Sequence, residues 1–321
     1  MKVISVRDSD DEQSYIAFEQ GAKIPVEHVF IATGGGATNT AVGFSRLGMN
    51  SGIICKVGTD DAAERVLGKL RRENVDVDSV VSTSEHLTGY SVILTCFTGD
   101  RTVLVHRGAC THLLADEINW DALADAKWIY LSSMAGESAP LFETIAVHAR
   151  DNGVKLAINP GGAQIVSGLD GLGAALEASH VIFVNKQEAY HLAGVEPKQG
   201  RSDELEALRR LHEAGCDIVV MTDGSNGAEA FDGSAYYTMP AIEVPEKSTL
   251  GAGDAFASGC VAALFRGLGL REALRAGALN AANVVRYLGA KRGLMRWNEL
   301  QAALTTHASS ARQSDHTPGP L

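Results

Sequence analysis

The chain alternates short apolar runs with amphipathic stretches, and this alternation limits the folds that it can adopt. Strand-like runs include SGIICKVG, KWIYLSS, VKLAINP, HVIFVN and DIVVMTDG. Between them lie stretches with helical spacing of apolar residues, such as DAAERVLGKLRREN, APLFETIAVHARDNG and SDELEALRRLHEAG. This order predicts an α/β fold with a mostly parallel sheet covered by helices on both faces. Such sheets bind ligands at the carboxyl ends of their strands, where INPGG, VNKQE and MTDGSNG fall.

Two stretches, at about residues 14–33 and 88–107, have the composition of β-ribbon instead, and the second contains TGD as a hairpin turn. We expect them to form a small β-lid over one end of the sheet. We expect residues 1–305 to be a single domain. The polar segment 306–321, which contains Pro and Gly, is predicted to be a disordered tail.

The charge and the cysteines restrict the partners of the chain. A formal net charge of −11 with no basic stripe argues against nucleic-acid binding. The N-terminus lacks the apolar core of a signal peptide, and no apolar run approaches the ~18 residues of a membrane span. Five scattered cysteines without a C-x-x-C pair are typical of free thiols in a reducing compartment. The sequence therefore predicts a cytoplasmic protein without nucleic-acid or membrane partners.

The stretch STLGAGDAFASG places Gly251, Ala252 and Gly253 directly before Asp254, at the start of a predicted helix. A glycine turn that runs into a helix presents free N–H groups, which is how proteins bind anions. Asp254 has two interpretations. It is a first-turn acid that meets the helix dipole, or it is a functional acid beside a bound phosphate.

A second glycine cluster, TGGGATNTAVGFSRLG, follows the strand-like HVFIA and leads into a helix. Gly34 and Gly36 match the first half of a dinucleotide-binding fingerprint, but Asn39 stands at its last position. A nicotinamide site, a structural turn and a site for a hydroxyl-rich ligand are the three alternatives. The last is favoured, because glycines allow close backbone approach and an Asn amide both donates to and accepts from hydroxyls.

Taken in order, these motifs resemble the signatures of the ribokinase-like (PfkB) carbohydrate kinase family. GGGATNTAVGFSRLG and STLGAGDAFASG are similar to its two signature patterns. VNKQE is similar to its N-x-x-E motif, TDGSNGA to its nucleotide loop, and GDRTVLVHRGA to its second lid strand. The resemblance covers roughly residues 15 to 300. It implies a ribokinase-like three-layer α/β sandwich with a small β-lid.

The resemblance also implies an activity, the ATP-dependent transfer of a phosphoryl group to a hydroxymethyl group of a small sugar or sugar-like molecule. Asp254 matches the family's general base, and the amides of Gly251, Ala252 and Gly253 match its anion hole. Phosphoryl transfer depends mainly on alignment and charge stabilisation, which agrees with this assignment.

Further residues match the family's binding positions. Asn185 and Glu188 match the motif that organises Mg²⁺ through its waters, although NKQE is also a typical helix cap. The loop along the nucleotide matches Thr222, Gly224 and Gly227, and the sugar-binding positions match Gly34, Gly35 and Asn39.

The chain departs from the family pattern at two places. Ser248 replaces an Asp that contributes to a monovalent-cation site in several relatives, so we expect no potassium activation. The start, MKVISVRDSDDEQSYIAF, is too polar for a central strand. Either Met1 lies beyond the usual first strand, which we favour, or KVIS is a reduced strand with Asp8 or Asp10 as the substrate acid. The favoured alternative leaves a sheet position empty and a substrate contact missing.

Two other functions stay open beside a sugar kinase. One is a nucleoside kinase of the same family, because ribosides present a similar hydroxyl. The other is a catalytically weak, ligand-binding homologue that lacks the first strand. The lid strands of the family often pair between subunits, which implies a homodimer through the lid.

Overall fold

The structure is a computed structural model, and it describes residues 2–8, 11–95, 101–197 and 200–308. The expected TGD turn, Asp10 and residues 309–321 of the expected tail lie outside the described residues. In chain order the strands are β1 (Lys2–Asp8), β2 (Asp11–Ala17), β3 (Cys55–Val57), β4 (Val80–Ser82), β5 (Tyr90–Thr95), β6 (Arg101–His106), β7 (Trp128–Ser132), β8 (Lys155–Asn159), β9 (Val181–Asn185), β10 (Ile218–Thr222), β11 (Ala228–Phe231) and β12 (Tyr236–Met239). The α-helices are α1 (Gly36–Arg46), α2 (Asp61–Arg72), α3 (Trp120–Ala124), α4 (Leu141–Asp151), α5 (Gly162–Val166), α6 (Gly168–Glu177), α7 (Lys186–Ala193), α8 (Arg201–Glu213), α9 (Ala252–Phe265), α10 (Leu270–Val285) and α11 (Trp297–Ala308).

The central sheet has six strands in the order β12-β11-β10-β9-β8-β7. Strands β7 to β10 run parallel, and β11 and β12 continue the sheet antiparallel. The four parallel strands are the runs KWIYLSS, VKLAINP, HVIFVN and DIVVMTDG, so the predicted mostly parallel sheet is confirmed. Their near-continuous apolar sequences follow from burial on both faces.

The two faces of the sheet belong to separate hydrophobic cores. Successive side chains of a strand point to opposite faces. On β9, Ile182 and Val184 therefore join the core formed with α4, α6, α7 and α8, whereas Val181 and Phe183 join the core formed with α9, α10 and α11. The result is the three-layer α/β sandwich that the motifs predicted.

Helix α9 is buried along most of its length, from Ala255 to Ala263. Its small residues let neighbouring helices approach closely. A Cβ on Gly259 would lie 2.7 Å from the carbonyl oxygen of Ala276 on α10, and a Cβ on Gly43 of α1 would lie 2.6 Å from Ser258 Oγ. Helix α9 is therefore held between α1 and α10, which fixes the position of its first turn.

The outlying strands only partly match the predictions. Strands β5 and β6 form the antiparallel hairpin expected over 88–107. The prediction over 14–33 is wrong for residues 18–33, which contain no strand; Gly21 adopts a positive φ there and Pro25 lacks an N–H. SGIICKVG is strand only at Cys55–Val57, and this strand pairs with β4 outside the central sheet.

The first residues do form a strand, but not a central one. Strand β1 pairs with β2 from Lys2↔Ala17 to Asp8↔Asp11, in a two-stranded sheet of its own. Helix α11 continues to Ala308, so the expected disordered tail is wrong for residues 306–308. Four cysteines of the described part are free thiols, and none of the described helices is long and apolar enough to cross a membrane.

Candidate active site

The parallel strands bring four polar residues to one edge of the sheet. Ser132 ends β7 opposite Asn159 at the end of β8, and Asn185 ends β9 opposite Thr222 at the end of β10. Parallel strands place their carboxyl ends at the same edge. Because neighbouring strands are about 4.8 Å apart, the edge formed by these four strand ends is about as long as a nucleotide.

The first turn of α9 exposes backbone N–H groups at this end of the molecule. Gly251 adopts a left-handed conformation with φ 81°, and a Cβ there would lie 2.4 Å from the Cβ of Ala290, so the position requires glycine. The N–H of Ala252 donates to the Thr249 carbonyl at 3.1 Å. The N–H groups of Gly251, Gly253 and Asp254 donate to no acceptor in the part of the chain that is described, which leaves three donors for an anion.

The two glycine motifs meet at Asp254. The Asn39 amide on α1 donates to Asp254 Oδ2 at 2.7 Å. A Cβ on Gly36 would lie 2.5 Å from Ser132 Oγ and 3.5 Å from Asp254 Oδ1, so glycine lets α1 begin beside the carboxylate. Among the described residues, none donates a hydrogen bond to Oδ1. One oxygen of Asp254 is thus fixed and the other is free to accept a proton.

The surroundings of Asp254 make it a stronger base than a free Asp. Burial raises the pKa of Asp254 above its usual value, while the hydrogen bond from Asn39 and the charge of Lys291 oppose this rise. A carboxylate whose pKa is raised accepts a proton more readily than a free Asp does.

Lys291 is a site residue that the sequence motifs did not identify. Its side chain is buried, with 5% of the residue exposed. Its ammonium group donates to the Thr33 carbonyl at 2.9 Å, to Thr38 Oγ1 at 2.8 Å and to Asn39 Oδ1 at 2.6 Å. Lys291 is followed directly by Arg292, and nothing in the sequence indicates which of these two cations is buried.

Tyr130 on β7 is a second residue that sequence reasoning missed. Its hydroxyl is buried and has no hydrogen-bond partner among the described residues. Burial, and then the charge of Asp254, raise the pKa of Tyr130 well above its usual value. The phenol is therefore a neutral group close to the carboxylate.

The expected sugar-binding residues lie at the start of α1. Gly35 is the N-cap residue with φ 95°, and a Cβ on Gly34 would meet no atom within 4 Å, so the backbone is accessible there. Asn39 is buried and both ends of its amide bind protein groups. Because an amide nitrogen carries two N–H donors, one of them stays available beside Asp254.

Asn185 and Glu188 form a capping box at the start of α7. The Glu188 N–H donates to Asn185 Oδ1 at 2.9 Å, and the Asn185 N–H donates to Glu188 Oε2 at 2.8 Å. Burial raises the pKa of Glu188, and Oε1 of this carboxylate has no partner among the described residues. No group of three or more His, Cys, Asp or Glu side chains is placed to hold a metal in the described ranges. One free carboxylate oxygen and an exposed amide suit a Mg²⁺ ion that keeps its waters.

The remaining residues that we expect to bind the nucleotide follow β10. The hydroxyl of Thr222 donates to the Val184 carbonyl at 3.4 Å. Gly224 and Gly227 have φ of 53° and 101°, and a Cβ on Gly227 would lie 2.1 Å from the Met239 carbonyl oxygen. The loop is thus a tight turn that only these glycines allow.

Ser248 and the first strand are the two places where the chain departs from the family pattern. The hydroxyl of Ser248 accepts from the Leu250 N–H at 3.3 Å, within the turn before α9. Asp8 ends β1 and Asp10 lies outside the described residues, so a substrate role for either stays a prediction.

Comparison with known proteins places these features in a family. Residues 7–297 match the sequence profile described as pfkB family carbohydrate kinase. The chain is 28% identical to a ribokinase of Haemophilus influenzae over 271 residues, which is 84% of this chain and 87% of that protein. It is 30% identical to an ATP-dependent ribose-1-phosphate kinase of Halopiger xanaduensis over 229 residues, or 71% and 72% of the two chains.

Solved structures show the same fold. Arabidopsis thaliana ribokinase, complexed with ribose and ATP, is 21% identical with a TM-score of 0.78, covering 89% of this chain and 92% of that chain. A nucleoside kinase of Burkholderia thailandensis in complex with inosine is 20% identical with a TM-score of 0.76, covering 92% and 94%. The ribokinase-like fold is thereby confirmed.

Proposed function

The chain belongs to the pfkB family of carbohydrate kinases, a family of phosphotransferases with an alcohol group as acceptor, and from this premise we propose its reaction. It transfers the γ-phosphoryl group of ATP to a hydroxymethyl group of a small sugar or sugar-like substrate. The observation that carries the proposal is the arrangement at Asp254, with one oxygen held by Asn39, the other free, and three free N–H groups in the same helix turn.

In the proposed reaction Asp254 Oδ1 accepts the proton of the substrate hydroxyl. The hydroxyl oxygen then forms a bond to the γ-phosphorus as the bond from that phosphorus to its bridging oxygen breaks, and ADP leaves. The free amides of Gly251, Gly253 and Asp254 bind the charge on the transferring group. The amide of Ala252, which closes the turn, keeps the other three in position.

Asn185 and Glu188 are the residues that we assign to Mg²⁺, through water, in addition to their capping contacts. When bound, the ion offsets charge on the phosphates. Thr222, Gly224 and Gly227 line the nucleotide position, and Gly34, Gly35 and Asn39 line the acceptor position. This division follows the sheet edge, because α1 begins beside the end of β7 whereas the other group follows β9 and β10.

A nucleoside is the second candidate acceptor. Its support is the similarity of this fold to the Burkholderia thailandensis nucleoside kinase that binds inosine. A nucleoside has a hydroxymethyl group on its ribose, so the same base and anion-binding turn would serve both acceptors. A weakly active ligand-binding homologue is the third alternative.

We also propose a homodimer through the β5–β6 hairpin. Its exposed apolar residues include Tyr90, Val92, Ile93, Val103, Leu104 and Val105. Register pairs alternate between the two faces of the hairpin, so both faces carry apolar side chains. A lid covers a substrate with one face only, which leaves the other for a second copy of the chain.

An ATP-consumption screen across pentoses, hexoses and nucleosides tests the function, with Asp254→Asn as the control for contaminating kinases. We expect one acceptor class to stimulate ADP formation by the wild-type protein at least 100-fold over the variant. Binding of an acceptor without ADP formation would favour the ligand-binding homologue. No response to any acceptor would contradict the proposal.

A further inference from the structure

We propose that Lys291 is a positioning residue for this site, which fixes the amide of Asn39 so that its nitrogen faces Asp254. This inference rests on the proposed function for its consequence in catalysis, but its structural part concerns only the contacts of Lys291, Asn39 and Asp254. The three side chains form a chain of hydrogen bonds, from Lys291 Nζ to Asn39 Oδ1 at 2.6 Å and from Asn39 Nδ2 to Asp254 Oδ2 at 2.7 Å.

The chemistry of the three groups allows only one orientation of the amide. In its protonated form Lys291 carries three donors and no acceptor, and an ionised carboxylate carries acceptors only. Rotating the Asn39 amide by half a turn would place its N–H₂ against the ammonium of Lys291 and its oxygen against the carboxylate of Asp254. Both contacts would be repulsive, so Lys291 and Asp254 together define the orientation of Asn39.

All three donors of Lys291 are used at the start of α1. The other two bind the Thr33 carbonyl and Thr38 Oγ1. The hydroxyl of Thr38 donates to the Gly34 carbonyl at 2.5 Å, so its oxygen is available to accept from Lys291. One cation therefore fixes the backbone before α1, the first turn of α1 and the amide that contacts Asp254.

The backbone of Lys291 is itself anchored. Arg46, at the end of α1, donates to the Lys291 carbonyl at 2.9 Å and to the Leu294 carbonyl at 3.0 Å. The preceding residue, Ala290, lies against Gly251 in the first turn of α9. The ammonium is thus held between the two helix starts that form the site.

The charged groups around Lys291 shift its pKa in different directions. Burial lowers the pKa of Lys291 to about 7, and nearby Lys69 acts in the same direction, whereas Asp254 and Glu73 oppose the shift. Arg46 contacts the Lys291 carbonyl but is paired with Glu73. In return, the charge of Lys291 and the Asn39 hydrogen bond both lower the pKa of Asp254. Lys291 therefore influences the carboxylate directly and through Asn39.

The test compares Lys291→Met, which keeps an unbranched apolar stem without donors, with Lys291→Gln, which keeps an N–H donor without charge. We expect Lys291→Met to lower kcat by about 10- to 100-fold, as for loss of a hydrogen bond to a charged group, with a smaller effect on the KM for ATP. The acid limb of the kcat/KM pH profile should move to higher pH by about one unit. The reason is that the ionised form of Asp254 loses both the charge of Lys291 and the oriented hydrogen bond from Asn39. Lys291→Gln should recover kcat but keep the shifted acid limb.

A double-mutant cycle with Asn39→Ala tests whether Lys291 affects kcat through Asn39. If Lys291 acts through Asn39, Lys291→Met should change kcat less than about threefold in the Asn39→Ala background. Equal effects in both backgrounds would overturn the route through Asn39. Lys56→Met is the matched control: Lys56 is also buried, and it donates to the His112 carbonyl and to Glu117 Oε1. It should leave the acid limb unmoved.

A carboxyl titration separates this inference from the proposed function. The ¹³C resonance of Asp254, assigned by its loss in Asp254→Asn, should titrate at higher pH in Lys291→Met and in Lys291→Gln than in the wild type. If the wild type transfers no phosphoryl group, the proposed function fails while the titration still decides the role of Lys291. An unchanged titration in both folded variants would overturn the inference.

Discussion

At the residue scale, Asp254 does not act as an ordinary helix cap. The N-cap residue of α9 is Gly251, which has no side chain to cap the helix, and the oxygen of Asp254 that is bonded within the described chain accepts from Asn39 on another helix. This geometry favours a base over a first-turn acid that only meets the helix dipole. It also explains why glycines precede the acid, since Gly251 must adopt a positive φ against Ala290.

We therefore predict that Asp254→Asn lowers kcat by 10²- to 10⁴-fold, the usual contribution of a general base. Nucleotide affinity should stay within about threefold, because the amide oxygen of Asn still accepts from Asn39 and the free N–H groups remain. Steady-state kinetics and calorimetric titration with ATP measure the two effects. Asp61→Asn, which alters a first-turn acid of α2, is the control and should cost only a few tenths of a kcal/mol in stability. A fully active Asp254→Asn would exclude the base.

Lys291 leads to a prediction about stability against pH. Its pKa of about 7 in the folded protein lies below the ~10.4 of an unfolded chain, so the unfolded state binds more protons between these values. The free energy of unfolding contributed by this residue should therefore increase as the pH rises from about 7 to 10, with a slope of up to ~1.4 kcal/mol per pH unit.

Urea unfolding of the wild type and Lys291→Met across this pH range measures the difference in slope. The wild type should gain stability relative to the variant as the pH rises, because only the wild type carries the buried amine. Parallel curves for the two proteins would show that Lys291 keeps an ordinary pKa.

At the scale of the elements, the start of α7 combines an observed helix cap with the metal role that we propose. Glu188 Oε2 caps the helix, and Oε1 is the oxygen that we assign to the water shell of Mg²⁺. Glu188→Gln separates the roles, because the amide oxygen still accepts from the Asn185 N–H but the charge is lost. We predict a melting temperature within about 2 °C of wild type and a Mg²⁺ requirement raised about 10- to 100-fold.

Activity against Mg²⁺ concentration and thermal unfolding test this prediction together. Glu188→Ala is the comparison, since it removes both the cap and the charge and should also lower stability by about 1 kcal/mol. An unchanged Mg²⁺ dependence in Glu188→Gln would show that the motif serves only as a helix cap.

The elements also show what the sequence could and could not predict. Strands β7 to β10 were predicted because burial on both faces requires continuous apolar runs. Strand β1 was only the less favoured alternative, since its polar sequence forms a strand by pairing with β2, a choice that local composition does not reveal. The site followed the same rule: glycines and acids in fixed spacing identified Asp254 and Asn39, whereas Lys291 and Tyr130 reach it through tertiary packing.

At the scale of the whole molecule, the site joins parts of the chain that are far apart in sequence. Asn39 on α1, Asp254 on α9 and Lys291 after α10 meet through direct hydrogen bonds or charge. The strand ends bring Asn185 and Thr222 to the same edge of the sheet. The site therefore depends on the assembly of both layers of helices around the sheet, and partial unfolding of either layer would remove it.

The proposed homodimer through the lid would extend this dependence beyond one chain. In the β5–β6 hairpin, Val92 pairs with Leu104 on one face, and Ile93 pairs with Val103, next to Val105, on the other. Leu104 and Val105 are each 56% exposed, although a two-stranded sheet is marginally stable without a covered face. If one face covers the substrate and the other meets a second copy, the two faces should respond differently to the same substitution.

We predict that Leu104→Glu and Val105→Glu, which place a charge on opposite faces, have distinct outcomes. One variant should be monomeric in sedimentation velocity at concentrations where the wild type is dimeric, because a buried charge without a partner opposes association. The other should stay dimeric and show a raised KM for the acceptor. Thr102→Glu, on an exposed position of the same strand, is the control for charge alone. A wild-type protein that sediments as a monomer at every concentration, with both variants unaffected in mass, would contradict the dimer and leave the hairpin as a lid within one chain.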